Sequence, residues 1–236
     1  MTKATDFNDV QRGSFNNAQW QEMCIVAPPD GHGSAGTIAL LEENGGGVSI
    51  TTSTTDNNLA YIQKSARTMN LAGGYSVALS GILQFSEANT NAANIFVGLT
   101  NIASAAVLQD DGAGLISAFK GVGFFKVDGG VNLQVGVGNG TDANETKEID
   151  NTANQRKAAV VAGSASDVPF RIGAIYKTST KIDVVFWWNG VEVYKITDYD
   201  PTGMGLLAPC FAVKCGSTTA EVLKLRMYNA SVRRAG

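Results

Sequence analysis

The sequence predicts an all-β fold, one antiparallel β-sandwich over residues 35–236 preceded by an extended N-terminal arm over residues 1–34. Three observations predict it. About a dozen short strand-like runs recur from Thr37 onward with turn residues between them, and helical periodicity is nearly absent. Glycine is abundant at 27 of 236 residues and proline scarce at 5, which suits tight turns and excludes collagen-like and proline-rich disordered chains. The run Lys181–Ile196 alternates Ile182, Val184, Phe186 and Trp188 with Asp183, Val185 and Trp187. It then turns at Asn189-Gly190, the pair that best tolerates the two positive φ angles of a type I′ hairpin.

Taken in order, Met1–Gln19 is rich in Asn, Asp and Gln, with Phe7, Val10 and Phe15 isolated among them. Such a segment buries too little apolar area to order itself. With Trp20, these residues are the candidate anchors by which the arm lies on a partner. Trp20–Ala27 reads as a first strand closed by Pro28-Pro29 and the loop DGHGSAG. Strands are then expected at Thr37–Leu41, Val48–Thr54, Leu59–Ser65, Tyr75–Phe85 and Asn94–Leu99. After an acidic, turn-rich loop come Gly121–Val127 and Val131–Val137. Thr152–Ala162 is Ala-rich but lacks an apolar stripe, so it reads as a loop with some helical content. Phe170–Tyr176, the hairpin, Cys210–Val213 and Glu221–Tyr228 complete the set. Strand Lys181–Trp188 is apolar on both faces and is expected to be central and covered on each side, or to face a partner chain.

Composition bounds the function classes. Hydrophobic residues at 44% and charged residues at 17% are globular values. The net charge of −3 comes with no basic patch beyond Arg233-Arg234, which argues against a nucleic-acid partner. Cys24, Cys210 and Cys215 are odd in number and match neither a disulfide framework nor a zinc ribbon, so they read as small buried residues in a reducing cytoplasm. No apolar run approaches the roughly 20 residues that span a bilayer. The opening MTKATDFNDVQRG has no apolar core, so neither a secretory signal nor a membrane partner is expected.

Five stretches carry a resemblance: SITTSTTDNNLAYIQ (Ser49–Gln63), NIFVGLT (Asn94–Thr100), LQDDGAGL (Leu108–Leu115), GVGFFKVDG (Gly121–Gly129) and VVFWWNGVEVY (Val184–Tyr194). Over roughly residues 35–230 the chain resembles the concanavalin-like, or laminin-G-like, β-sandwich (jelly-roll) proteins found among tailed-phage virion proteins. The resemblance implies a structural virion protein of capsid decoration, or cement, type, made in the host cytoplasm and placed on the capsid surface. Its partners would be the major capsid protein and further copies of itself, since decoration proteins commonly form trimers. The alternative is a lectin-like, carbohydrate-binding virion or tail-fibre adhesion module.

Sandwich hydrolases of this resemblance carry E-x-D-x-x-E on one strand, because retention or inversion needs two carboxylates at a set spacing. Here Glu145 and Glu148-Ile149-Asp150 are followed by Thr152-Ala153 where the third carboxylate belongs, in a stretch that reads as a polar loop. No catalytic residue is therefore assigned, and no enzyme activity is expected. His32 is the lone histidine and lies in a loop, so no zinc site and no cofactor are expected. Gly45–Gly47, Gly121-Val122-Gly123 and Gly136–Gly140 lack the strand-to-helix context of a phosphate loop and read as turns. Asp110-Asp111-Gly112 and Asp128-Gly129-Gly130 put oxygen ligands in glycine-rich loops, as calcium sites require, although Asp-Gly also simply builds tight turns. A sugar site would add an aromatic ring, from Trp187 or Trp188, to Asp110, Asp111 and Asp128. The sequons at Asn139, Asn144 and Asn229 carry no weight in an Asn- and Thr-rich chain.

Overall fold

A computed structural model describes residues 12–13, 36–41, 46–63, 67–86, 92–102, 106–130, 132–149 and 167–234. Its strands are β1 (Arg12–Gly13), β2 (Thr37–Leu40), β3 (Val48–Thr51), β4 (Leu59–Gln63), β5 (Met69–Asn70), β6 (Tyr75–Ser86), β7 (Ala93–Thr100) and β8 (Lys120–Lys126). They continue as β9 (Gln134–Asn139), β10 (Glu145–Glu148), β11 (Val168–Thr178), β12 (Lys181–Trp188), β13 (Val191–Tyr199), β14 (Leu206–Cys215) and β15 (Val222–Arg234). No helix occurs among the described residues. The strands form two antiparallel sheets. The first has the order β13-β12-β11-β6-β15-β3-β2, with β1 also on β15. The second has the order β10-β9-β8-β7-β14-β4, with β5 on β14.

The period of two along each strand makes the sandwich. Ile172, Ala174, Val184, Phe186, Leu79, Leu83, Leu223 and Leu225 point from the first sheet to one core. Val97, Leu99, Val122, Phe124, Val135, Val137, Phe211 and Val213 meet them from the second. Aromatic rings bridge the layers at edge-on or tilted angles. Phe124 lies 5.3 Å from Phe186 and 5.2 Å from Trp188, and Phe211 lies 6.3 Å from Phe170. Each such ring, buried here to 3% exposure or less, contributes about 1.5–3 kcal/mol by burial alone. The Asn189-Gly190 turn has φ of 50° and 76°, as the hairpin requires.

Three expectations are corrected. Glu145–Glu148 is an edge strand paired with β9, Glu148 opposite Gln134, and not a loop. All four of its residues are exposed, so no apolar alternation marks it. Gly121 and Gly123 lie within β8, and Gly136 and Gly138 within β9, so these glycines are strand residues. Strand β12 is second from the sheet edge, between β11 and β13, and so is not central, although Asp183 and Val185 on its outer face are buried. Neighbouring side chains close that face: Val185 is only 4% exposed beside Gly173 and Lys195. Phe7, Val10, Phe15, Trp20, Cys24, His32 and the segment Thr152–Ala162 lie outside the described residues. Arg12 and Gly13 of the arm pair with Asn229 and Tyr228 of the chain's own β15.

Candidate functional site

The outer face of the second sheet is shaped by its glycines. Gly98 on β7 stands opposite Gly123 on β8, and Gly123 opposite Gly136 on β9, a bare row crossing three strands. A Cβ at Gly98 would lie 2.3 Å from the Val122 carbonyl oxygen, one at Gly123 2.5 Å from the Phe96 ring, and one at Gly136 2.4 Å from Leu115 Cδ1. The row therefore admits side chains that would otherwise be held off the sheet. The described residues of the following connection, 106–119, fold back over it, and Phe119 meets Phe96 edge-on at 5.6 Å. Val107, Leu108 and Leu115 from the connection join Leu59, Tyr61, Phe96, Phe125, Cys210 and Ala212 from the sheet in a second core.

Polar bonds fix this cover at several points. Gln63 Nε2 donates to the Ile102 carbonyl at 2.8 Å, and Asn144 Nδ2 to the Ile116 carbonyl at 2.7 Å. Lys214 Nζ, buried to 5% exposure, donates to the Leu108 carbonyl at 3.4 Å and forms an ion pair with Asp110. Asn57 and Asp111 bond reciprocally, Asn57 Nδ2 to Asp111 Oδ1 at 3.0 Å and Asp111 N–H to Asn57 Oδ1 at 3.2 Å. Beneath the cover, burial pushes the Cys210 thiol pKa up, so it stays a protonated, inert thiol. Burial, with Cys210 adding to it, also raises the Tyr61 phenol.

The cover reaches Gly136 and Gly138 of β9. Beyond its rim a pocket of about 460 Å³ opens over β8, β9 and β10. Phe125 and Val127 come from β8 and its end, Gln134 from β9 and Thr146 from β10. Gly112, Ala113, Gly114, Leu115 and Ser117 form the wall toward the cover, and Ala143 and Asn144 close the far end. Phe125, Gln134 and Thr146 share the face because Gln134 is paired with Phe125, and Thr146 with Gly136 two residues on. Among the described residues no ionisable side chain lines the pocket. Ser117, Gln134 and Thr146 place two hydroxyls and one amide on this lining. Glu148 stands beside Gln134 and accepts a hydrogen bond from Asn132 Nδ2.

The sequence candidates divide between the two sheets. Asp110, Asp111 and Asp128 come together at one end of the second sheet, where a Cβ on Gly112 would lie 2.4 Å from the Asp128 carbonyl oxygen. There Asp110 holds Lys214, Asp111 holds Asn57, and the Asp128 N–H donates to Asn94 Oδ1 at 2.8 Å. Asp111 and Gly112 have φ of 52° and 71°, the geometry of a tight turn. Among the described residues no group of three or more His, Cys, Asp or Glu is arranged to hold a metal ion. Trp187 and Trp188 belong to the first sheet. Trp188 is in the main core at 2% exposure. Trp187 faces outward, half-buried, with the Arg171 guanidinium 4.9 Å above its ring. The aspartates and the tryptophans thus do not share one site. Sequence reasoning missed Ser117, Gln134 and Thr146, since neutral residues carry no spacing signature. Glycines at alternate positions in KGVGF and QVGVGN were the one available signal.

No protein-family model matches this chain, and no curated protein matches it. Solved structures do. It is similar to the carbohydrate recognition domain of Emp47p, with a TM-score of 0.53 and 9% identity over 84% of this chain and 86% of that one. It is similar to an endo-β-1,4-glucuronan lyase from the fungus Trichoderma reesei, with a TM-score of 0.58 and 12% identity over 95% and 94% of the two chains. A third likeness is the binding domain of botulinum neurotoxin DC in complex with rat synaptotagmin II, TM-score 0.51 and 10% identity, covering 85% of this chain and 43% of that one. The shared feature is the concanavalin-like, lectin-type β-sandwich.

Proposed function

We propose that this protein is a lectin-type carbohydrate-binding module that holds a sugar in the pocket over β8, β9 and β10 without cleaving it. The observation that carries the reading is the gathering of the polar side chains of Ser117, Gln134 and Thr146 beside the half-buried Val127 in this pocket. A sugar presents hydroxyls to neutral donors and acceptors and an apolar ring face to a hydrophobic floor. The volume lies within the ordinary range of small-molecule sites. General acid–base cleavage needs a titratable group within hydrogen-bond reach of the scissile bond, and the described residues of the lining include none. The names of two of the structural relatives, a carbohydrate recognition domain and a glucuronan lyase, agree with a saccharide ligand.

The capsid-clamp reading rests on Phe7, Val10, Phe15 and Trp20, which lie outside the described residues. The sugar reading has a formed site, and it is preferred for that reason. Three hydrogen bonds at about 0.5–1.5 kcal/mol net each supply at most about 4.5 kcal/mol, so binding no tighter than roughly millimolar is expected. Calorimetry against a panel of neutral and acidic oligosaccharides tests this. At least one should bind unchanged on prolonged incubation, and Gln134→Ala should weaken it about five- to tenfold. Absence of binding across the panel, or a cleaved product, overturns the proposal.

A further inference from the structure

We infer that two copies of this chain join edge to edge through β2, about a two-fold axis at Ala39, so that the first sheet runs on from one copy into the other. Among the described residues the two sheet orders end on β13 and β2 in the first sheet and on β10 and β4 in the second. A bare edge is a template for another strand, and proteins guard it with charge, bulges, shortness or burial. Three of these ends are guarded. Strand β13 exposes Glu192, Lys195 and Asp198, and its ladder with β12 shifts register twice. Glu145, Lys147 and Glu148 charge β10, and β4 is buried at every residue. Strands β1 and β5, off those orders, are two residues each. Strand β2, Thr37–Leu40, carries no charge and is exposed at every residue but Ile38, with Leu40 at 47%.

The backbone of β2 is set for a partner. The Leu41 N–H donates to the Gly47 carbonyl at 2.9 Å, and the same register continues with Ala39 opposite Ser49 and Thr37 opposite Thr51. In an antiparallel ladder alternate residues turn both N–H and C=O to the same neighbour. Leu41, Ala39 and Thr37 therefore bond to β3, while Ile38 and Leu40 aim theirs outward at the open edge. A two-fold axis at Ala39 sets Ile38 opposite the second copy's Leu40, and Leu40 opposite the second copy's Ile38. Each of these two pairs exchanges two main-chain hydrogen bonds. Directly opposed residues share a face, so the same register lays the exposed Leu40 against Ile38. Ala39 meets its own copy across the axis, and its small side chain suits the close approach of a non-hydrogen-bonded pair. An axis at Ile38 would set Leu40 against Gly36 and leave it bare.

A second copy fits this edge because the pairing is closed. The strand satisfies its own twin, and no part of β2 is left to recruit a third chain. The strand is four residues long, so the contact belongs with small, reversible interfaces that fill at high protein concentration. Strand β2 lies at the end of the sandwich where β3 meets β4, and β10 is at the opposite end of the second sheet. Pairing through β2 thus leaves the pocket over β8, β9 and β10 clear.

Sedimentation equilibrium of the full chain from about 10 µM to about 1 mM tests this, a range suited to a small interface. The native chain should shift from monomer toward dimer across it. Ala39→Lys and Ala39→Glu each set like charges against one another at the axis, and each should weaken dimerisation by about fivefold. An equimolar mixture of the two should restore it as a heterodimer. Leu40→Pro removes an outward N–H, leaves the β3 ladder whole, and should abolish dimerisation. A native chain that stays monomeric to the top of the range overturns the inference. Variants that dimerise as the native chain does also overturn it, since the contact then lies elsewhere. A mixture that fails to recover overturns it too, because the axis is then not at Ala39.

Discussion

At the scale of single residues, Gly98 and Lys214 do work that their types alone do not announce. Gly98 stands where a Cβ would meet the Val122 carbonyl oxygen at 2.3 Å and Gly123 Cα at 2.6 Å. Both are backbone atoms, so neither can rotate away. Gly98→Ala should destabilise the fold by about 1–3 kcal/mol through overpacking, read as a lower denaturant midpoint with an unchanged slope. Lys214 and Asp110 form a lopsided pair, because the lysine side chain is 7% exposed and the aspartate side chain 67%. Removing the lysine leaves a carboxylate that water already reaches. Removing the carboxylate leaves a buried ammonium whose remaining partner among the described residues is the Leu108 carbonyl. Asp110→Ala should therefore cost more than Lys214→Met, by about 1–3 kcal/mol in equilibrium unfolding. Equal costs would show that the ion pair is not what holds the Asp110 turn.

At the scale of elements, residues 106–119 cover the outer face of the second sheet, and their hold depends on Phe119. That ring is fully buried and touches Phe96 edge-on. Phe119→Ala should cost about 3–5 kcal/mol, with hydrogen exchange rising first in the connection. Protection in β6 and β15 should fall only with the global stability, since those strands belong to the other sheet. The β11-β12-β13 edge carries a charge cluster with a pH signature. Burial by itself would raise the Asp183 carboxyl, but the Lys195 ammonium at 2.9 Å, the Asp198 N–H at 3.1 Å and the Lys177 ammonium at 3.4 Å outweigh it. The net pKa lies below the usual aspartate value. A depressed carboxylate contributes stability that is present above the unfolded pKa, near 3.9, and is lost as pH falls through the folded value. Melting temperatures should therefore drop more steeply below about pH 4 in the native chain than in Asp183→Asn. Parallel curves would remove Asp183 from the account of acid sensitivity.

At the scale of the whole molecule, what the sequence made legible follows from how local each cause is. The Asn189-Gly190 hairpin was readable because positive φ at two adjacent residues is a local demand. The two-sheet sandwich was readable because alternation along each strand reports burial directly. The glycines of β8 and β9 were not, because their reason is a connection laid across them from another part of the chain. Glu145–Glu148 was missed because an edge strand exposed on both faces shows no alternation. The same distinction between local and distant causes governs how the two chain ends matter. Strand β15 lies inside the first sheet, paired with β6 from Val222–Ser86 to Arg234–Tyr75 and with β3 along Val222–Leu225. Its loss would leave β6 unpaired on one side and open the main core at Leu223, Leu225, Tyr228 and Ala230. By contrast, β1 adds two residues to the sheet. A chain beginning at Ser34 should melt cooperatively, within roughly 2–4 °C of the full chain, the effect of about one backbone hydrogen bond in a domain of this size. A chain ending at Glu221 should show no cooperative transition at all. Scanning calorimetry on the two truncations decides the matter, and a large loss in the first would mean that the arm is part of the sandwich's own stability.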